Sequence, residues 1–94
     1  MKAIDKKGKS VECWEISGDK ATMPDWVKQL VAELDIVFPL GQEGNIRLTP
    51  HKLRWGWGAQ GYNVAFGSFL VDDGKMIKDY SRLKFHQEFK IVEA

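Results

Sequence analysis

The clearest periodicity in the chain lies in residues 22–35. Val27, Leu30, Val31 and Leu34 fall at i, i+3, i+4 and i+7, with Lys28, Gln29 and Glu33 between them. That spacing predicts an amphipathic helix over about 23–34, with one apolar stripe flanked by Trp26. Thr22-Met-Pro-Asp25 supplies a capping-box-like start, with proline in the first turn and an acid at the positive end of the dipole. Elsewhere the period is two. VECWEI at 11–16 reads as a strand with neither face purely apolar, which predicts an outer or half-covered position. Residues 35–40 form a short apolar run stopped by Pro39 and read as a brief edge strand. Residues 46–49, 53–57 and 62–66 read as extended. Phe69-Leu70-Val71, Asp72-Asp73-Gly74-Lys75 and Met76-Ile77 form a hairpin with an Asp-Gly turn. Ser81 caps a short C-terminal helix (about 81–89) that turns Leu83, Phe85 and Phe89 inward, and Ile91-Val92 either adds a strand or packs.

Elements in this order, joined by hairpins without βαβ alternation, predict an α+β fold. It comprises a small antiparallel sheet of about 4–6 strands, the first helix packed on one face, and the short C-terminal helix. Ninety-four residues make a single domain, 1–94, and 44% apolar content suits a globular core. Met1 to Ser10 carries four lysines, so residues 1–9 read as a flexible basic arm, although Ile4 could begin a short strand. Cys13 is the only cysteine, which excludes an intrachain disulfide. The start shows a basic region without an apolar stretch behind it, and no apolar run reaches the length of a membrane span. These features lead to the expectation of a soluble protein of the reduced, intracellular compartment, with no membrane partner.

Charge directs attention to one segment. Between Asn45 and Val71 there is no Asp or Glu, although the chain carries 13 acids. Within that run Arg47, His51, Lys52 and Arg54 adjoin Trp55, Trp57 and Tyr62. Arg and Trp are enriched at interface hot spots, and the same mixture stacks bases and pairs phosphates. The candidate binding residues are therefore Arg47, Lys52, Arg54, Trp55, Trp57 and Tyr62. The alternative is that the rings are core and the cations ordinary solvent-side neighbours. A net charge of +1 argues against whole-surface binding to nucleic acid but leaves room for a local basic patch.

Motifs of catalysis do not hold up. Gly56-x-Gly58-x-x-Gly61 matches a dinucleotide fingerprint in letters, but the strand-like Tyr62-Asn-Val-Ala-Phe follows where a helix must open. Asp5-x-Lys7, Asp73-x-Lys75 and Glu88-x-Lys90 resemble nuclease triplets but arise by chance in a chain that is 29% charged. His51, His86 and Cys13 lack metal-ligand spacing, and Ser68 lacks the flanks of a nucleophile elbow. No catalytic residue, metal site or cofactor is expected.

Residues 6–19, KKGKSVECWEISGD, and 67–89, GSFLVDDGKMIKDYSRLKFHQEF, together resemble the opening and ending of small hypothetical proteins of phage and prophage genomes. The opening block there has a Lys-Lys pair, a Val-Glu, an aromatic residue and a Ser/Thr-Gly-Asp/Asn before a helix. The ending has Gly-Asp-Tyr, two aliphatics, a Gly turn, a short strand and a helix with two inward aromatics. Ser68 stands where Asp is usual, and residues 40–66 match nothing in that pattern. The resemblance implies a phage-type accessory protein in the host bacterial cytoplasm, but the family has no established activity and lends no functional residues. The expected partner is a host or defence-system protein. The alternatives are sequestration of an anionic ligand (a nucleotide or single-stranded nucleic acid) and a minor virion or assembly component.

Overall fold

A computed structural model describes residues 1–39, 41, 44–49 and 61–93. The fold is α+β. Its larger sheet has five strands in the order β7-β6-β2-β1-β8, all neighbours antiparallel. These are β1 (Lys2–Asp5), β2 (Ser10–Glu15), β6 (Phe69–Asp72), β7 (Ile77–Tyr80) and β8 (Phe89–Glu93). A smaller antiparallel sheet is built from β3 (Ile36–Val37), β4 (Asn45–Leu48) and β5 (Tyr62–Ala65), in chain order. Helix α1 spans Asp25–Ala32 and α2 spans Arg82–Glu88. No helix among the described residues is long and apolar enough to cross a membrane.

The strand VECWEI is not an outer one. It forms the middle of the larger sheet and feeds a separate core on each side. Successive side chains of a strand point to opposite faces. Trp14 and Ile16 go to one face, where they meet Leu70, Ile77, the α1 residues Val27 and Leu30, and Ile36, Ile46, Leu48 and Val64 of the small sheet. Val11 and Cys13 go to the other, with Ala3, Phe69, Val71 and Phe85. What reads as two mixed faces is one strand covered on both sides, its glutamates Glu12 and Glu15 lying between buried positions.

On the second face α2 is held by rings. Phe85 is fully buried and stacks on Phe69 at 3.9 Å between centroids, with the planes 5° apart. Phe89 stacks on Phe85 at 5.2 Å and meets Tyr80 edge-on at 5.2 Å. The Ser81 side chain accepts from Lys84 N at 3.2 Å, the N-cap anticipated for this helix. Leu83, expected inward, is 72% exposed. A helix of under two turns offers one inward face, and Phe85 and Phe89 fill it.

Three further expectations are corrected. Residues 1–9 are not an arm: β1 lies between β2 and β8, with Ala3 fully buried and paired to Val11 and Ile91. The turn that returns the chain to β2 is fixed by Asp5, whose carboxylate accepts from Lys7 N and Lys9 N, both at 2.9 Å. Thr22 does not cap α1. It ends a 3-10 turn at Lys20–Thr22, donates to Asp19 O and accepts from the Trp14 indole at 3.1 Å. The N-cap position falls on Pro24, which has no side chain to offer. Finally, α1 stops before Leu34, which takes φ 63° and is 68% exposed. The chain there turns to bury Asp35 and Ile36, so the apolar stripe loses its last member. The expected extended stretch 53–57 lies outside the described residues.

Two substitutions check this account by urea denaturation. Leu30→Ala removes a buried contact between α1 and the first core and should cost about 2–5 kcal/mol. Leu34→Gly relieves a left-handed backbone at little loss of burial and should be neutral or stabilise by up to about 1 kcal/mol. The account fails if Leu34→Gly destabilises as much as Leu30→Ala.

Candidate functional site

Strand β4 alternates buried Ile46 and Leu48 with Arg47, which is exposed. Leu48 is opposite Tyr62 and Arg47 is opposite Asn63. Directly opposed residues share a face, so Tyr62 points into the first core with Leu48 while Arg47 points outward. The small sheet therefore separates two residues expected on one surface. Lys52, Arg54, Trp55 and Trp57 lie outside the described residues, as do His51 and Gly56-x-Gly58.

Tyr62 has a structural task. Its hydroxyl donates to Asp79 Oδ1 at 2.7 Å, which ties the small sheet to edge strand β7 of the large one. Burial, then the bond to Asp79 and its charge, hold the phenol far above its ordinary pKa. Sequence reasoning missed Asp79, whose place opposite Leu70 on the first face follows only from the β6–β7 register.

Arg47 stands on the outer face of the small sheet. Its guanidinium donates to Asn63 Oδ1 at 3.4 Å and lies against Gly61, where an added Cβ would stand 2.8 Å from Nη2 and 3.2 Å from Leu48 O. Gly61 is thus a close-approach glycine. Leu48 and Tyr62, paired across the ladder, bracket residues 49–61, a far longer connection than the roughly two to five residues of an ordinary hairpin loop. At its start Thr49 is doubly anchored: its N–H donates to Asp35 O at 2.8 Å and its hydroxyl to Leu34 O.

A second concavity has no counterpart in the sequence reading. It lies on the face of the large sheet that carries α2. The helix covers only part of that face and leaves a cavity of about 160 Å3 over Val11 and Val71, beside Tyr80 and Phe89. Asp5 and Lys9 from one hairpin, and Asp73 and Met76 from another, form its sides. Asp73 accepts from Lys75 N and Met76 N, both at 2.8 Å; these bonds, with Lys9 and Lys78 nearby, hold its carboxyl below the ordinary range. Asp73-x-Lys75 is accordingly a turn, as its spacing within the hairpin indicates.

The remaining chemically capable groups are spread apart. Cys13 is buried in the second core, which pushes its thiol up to about 11. His86 is exposed and lies edge-on to Phe69 and Phe85. Ser68 extends the β2–β6 pairing, its carbonyl accepting from Ile16 N at 2.8 Å. Among the described residues no three of His, Cys, Asp and Glu gather as metal ligands. No family model matches the chain, and no curated protein or solved structure matches it.

Three measurements test these placements. Tyr62→Phe should cost about 1–2 kcal/mol, below the upper range for a charged hydrogen bond because both partners are partly exposed. For Asp73 the folded pKa is the lowered one, so its contribution is complete above the ordinary carboxylate value. It is lost as pH falls through the lowered value. Asp73→Asn should therefore reduce stability at neutral pH and narrow the difference from the unmodified protein below about pH 4. Cys13 should resist a thiol reagent at pH 8 in the folded state and react once denaturant opens the core. Rapid native-state reaction would contradict its burial.

Proposed function

We propose that this chain is a non-enzymatic binding protein, a phage-type accessory factor that docks on a host or defence-system protein and modulates or inhibits it. The observation that supports this reading best is the setting of Arg47. It stands exposed on the outer face of the small sheet, beside the two points where residues 49–61 leave and rejoin the ladder. That stretch carries Lys52, Arg54, Trp55 and Trp57 and no acid. Long connections in compact domains are commonly functional, and Trp and Arg are the side chains from which interfaces draw most of their energy. Tyr62, tied to Asp79, belongs to the frame of this site rather than to its contact surface.

The setting of Cys13 and Tyr62 agrees with a role in binding rather than catalysis. Burial raises the pKa of both groups, which keeps a thiol or phenol in its unreactive, protonated form. Asp73, the carboxylate with a lowered pKa, is occupied by backbone amides of its own turn.

The test compares the intact protein with Trp55→Ala/Trp57→Ala and Tyr62→Phe in capture from host bacterial lysate, followed by titration of the captured protein. The double tryptophan variant should weaken binding by at least about 30-fold, the loss of one hot spot, while Tyr62→Phe binds normally. Salt should have a weak effect, because rim charges mainly tune the association rate. Tight binding of a single-stranded oligonucleotide, with a log–log salt slope of about −2 to −3, would replace a protein partner by nucleic acid.

A further inference from the structure

The cavity over Val11 and Val71 is built by strand register. Asp5 pairs with Phe89, Val71 with Lys78 and Ala3 with Val11, and alternation sets all of these on the face that carries α2. The turns at 6–9 and 73–76 stand at the same end of the sheet, because Ser10–Glu12 pairs with β1 and Glu12 pairs with Asp72. Lys9 enters the cavity from the first turn, Asp73 and Met76 from the second. At about 160 Å3 the space is well below the roughly 300 Å3 at which pockets for drug-sized ligands begin. It is close to the roughly 150 Å3 that holds one benzene. Such a space suits a small molecule with one short apolar group.

The charges on its walls are balanced: Asp5 and Asp73 stand against Lys9 and Lys78. An anion entering the cavity meets both carboxylates, and a cation meets both lysines. A neutral apolar ligand desolvates all four groups without compensation. A molecule with both charges offers each group its opposite. Lys9 and Lys78 both lie near Asp73, so the two signs are interleaved, which suits a ligand whose own charges are close together. The carboxylates are also preorganised. Oδ1 of Asp5 accepts from Lys7 N and Lys9 N, and Oδ1 of Asp73 from Lys75 N and Met76 N. The second oxygen of each has no hydrogen bond among the described residues and is a fixed acceptor. Asp5, Lys9 and Asp73 form no ion pair among the described residues, although they line one cavity. Opposite charges thus face a common space without closing it.

We propose that this cavity binds a small zwitterion of the α-amino acid class with a short aliphatic side chain. The side chain lies on Val11 and Val71, beside Tyr80 and Phe89. The ammonium group meets the remaining oxygens of Asp5 and Asp73, and the carboxylate meets Lys9, with Lys78 beside it. The site is separate from residues 49–61, because the small sheet packs on the first face of the large sheet and the cavity opens on the second.

The experiment is an amide NMR titration of the full chain with free leucine at neutral pH. Controls are isocaproate, which lacks the ammonium group, isopentylamine, which lacks the carboxylate, glycine, and uncharged N-acetylleucinamide. Leucine should shift the amides of Val11, Val71, Tyr80 and Phe89 with a Kd on the order of 1 mM, the weak end of specific binding. Isocaproate and isopentylamine should each bind at least about fivefold more weakly, since each loses one charge contact and leaves the other sign unmet. Glycine and N-acetylleucinamide should also bind more weakly than leucine. Lys9→Gln should weaken leucine about threefold and narrow its advantage over isopentylamine, whereas Asp73→Asn should narrow its advantage over isocaproate. A cavity that is merely loosened does not give this crossover. The spectrum of each free variant verifies its fold, and Asp5→Asn takes the place of Asp73→Asn where the turn is disturbed. Trp55→Ala/Trp57→Ala should leave leucine binding unchanged. The proposal is overturned if leucine causes no shifts or shifts elsewhere, or if any control binds as tightly. It is overturned as well if charge removal leaves these preferences unaltered, or if the tryptophan substitutions abolish binding.

Discussion

One strand has to serve two cores, and the rest of the molecule is arranged around that constraint. In β2 the order Val11, Cys13 against Trp14, Ile16 assigns each apolar side chain to one face of the large sheet. A slip of one residue in its pairing would exchange the faces, setting Trp14 among the phenylalanines and Cys13 under α1. The pairings Cys13 with Val71 and Trp14 with Leu70 exclude that slip, because β6 is sorted by the same rule. The Trp14 indole then finds its acceptor in Thr22, just before α1. A buried Trp with a satisfied N–H thus links the central strand to the approach of the first helix.

The two faces are closed by different means. The first is covered by α1 and the small sheet together, which supply the Val27, Leu30, Ile46, Leu48 and Val64 side chains around Trp14. The second has only a short helix. There the stacked Phe69, Phe85 and Phe89 rings cover much area per residue. That economy leaves part of the sheet uncovered, and the cavity over Val11 and Val71 is its geometric result. Edge strand β8 is disturbed where Lys2 pairs with Glu93 while Ala3 pairs with Ile91. An irregularity of that kind discourages an open edge from templating another strand.

The parts of the fold legible in the sequence are those that local spacing controls. Val27, Leu30 and Val31 mark α1, Ser81 marks the start of α2, and Asp73-Gly74 marks the hairpin turn. What escaped detection depends on partners distant in the chain. β1 looks like a charged arm because its place in the sheet is decided by Val11 on one side and Ile91 on the other. Leu34 extends a perfect helical stripe, but the need to turn and bury Asp35 and Ile36 takes precedence over propensity at the helix end. Thr22 has the letters of a cap, yet its hydroxyl is taken by Asp19 and Trp14. In the candidate site the letters place Arg47 and Tyr62 in one patch, and strand alternation separates them. The cavity over Val11 and Val71 was not visible at all, since its sides come from two hairpins distant in the chain.

The tie between the two sheets bears on how the proposed binding segment would be presented in so small a protein. Association costs free energy for ordering any side chains and loops that were free beforehand, so a contact segment gains affinity when its ends are already fixed. Here the ends flanking residues 49–61 are held to the core from both sides. Thr49 is bound through its N–H to Asp35 and through its hydroxyl to Leu34, at the point where α1 gives way to β3. Tyr62 is bound to Asp79 on the far sheet. The left-handed Leu34 and the proton-holding Tyr62 therefore belong together: each is part of the frame that carries Arg47 outward. In that arrangement the cost of fixing the ends is met during folding of the domain.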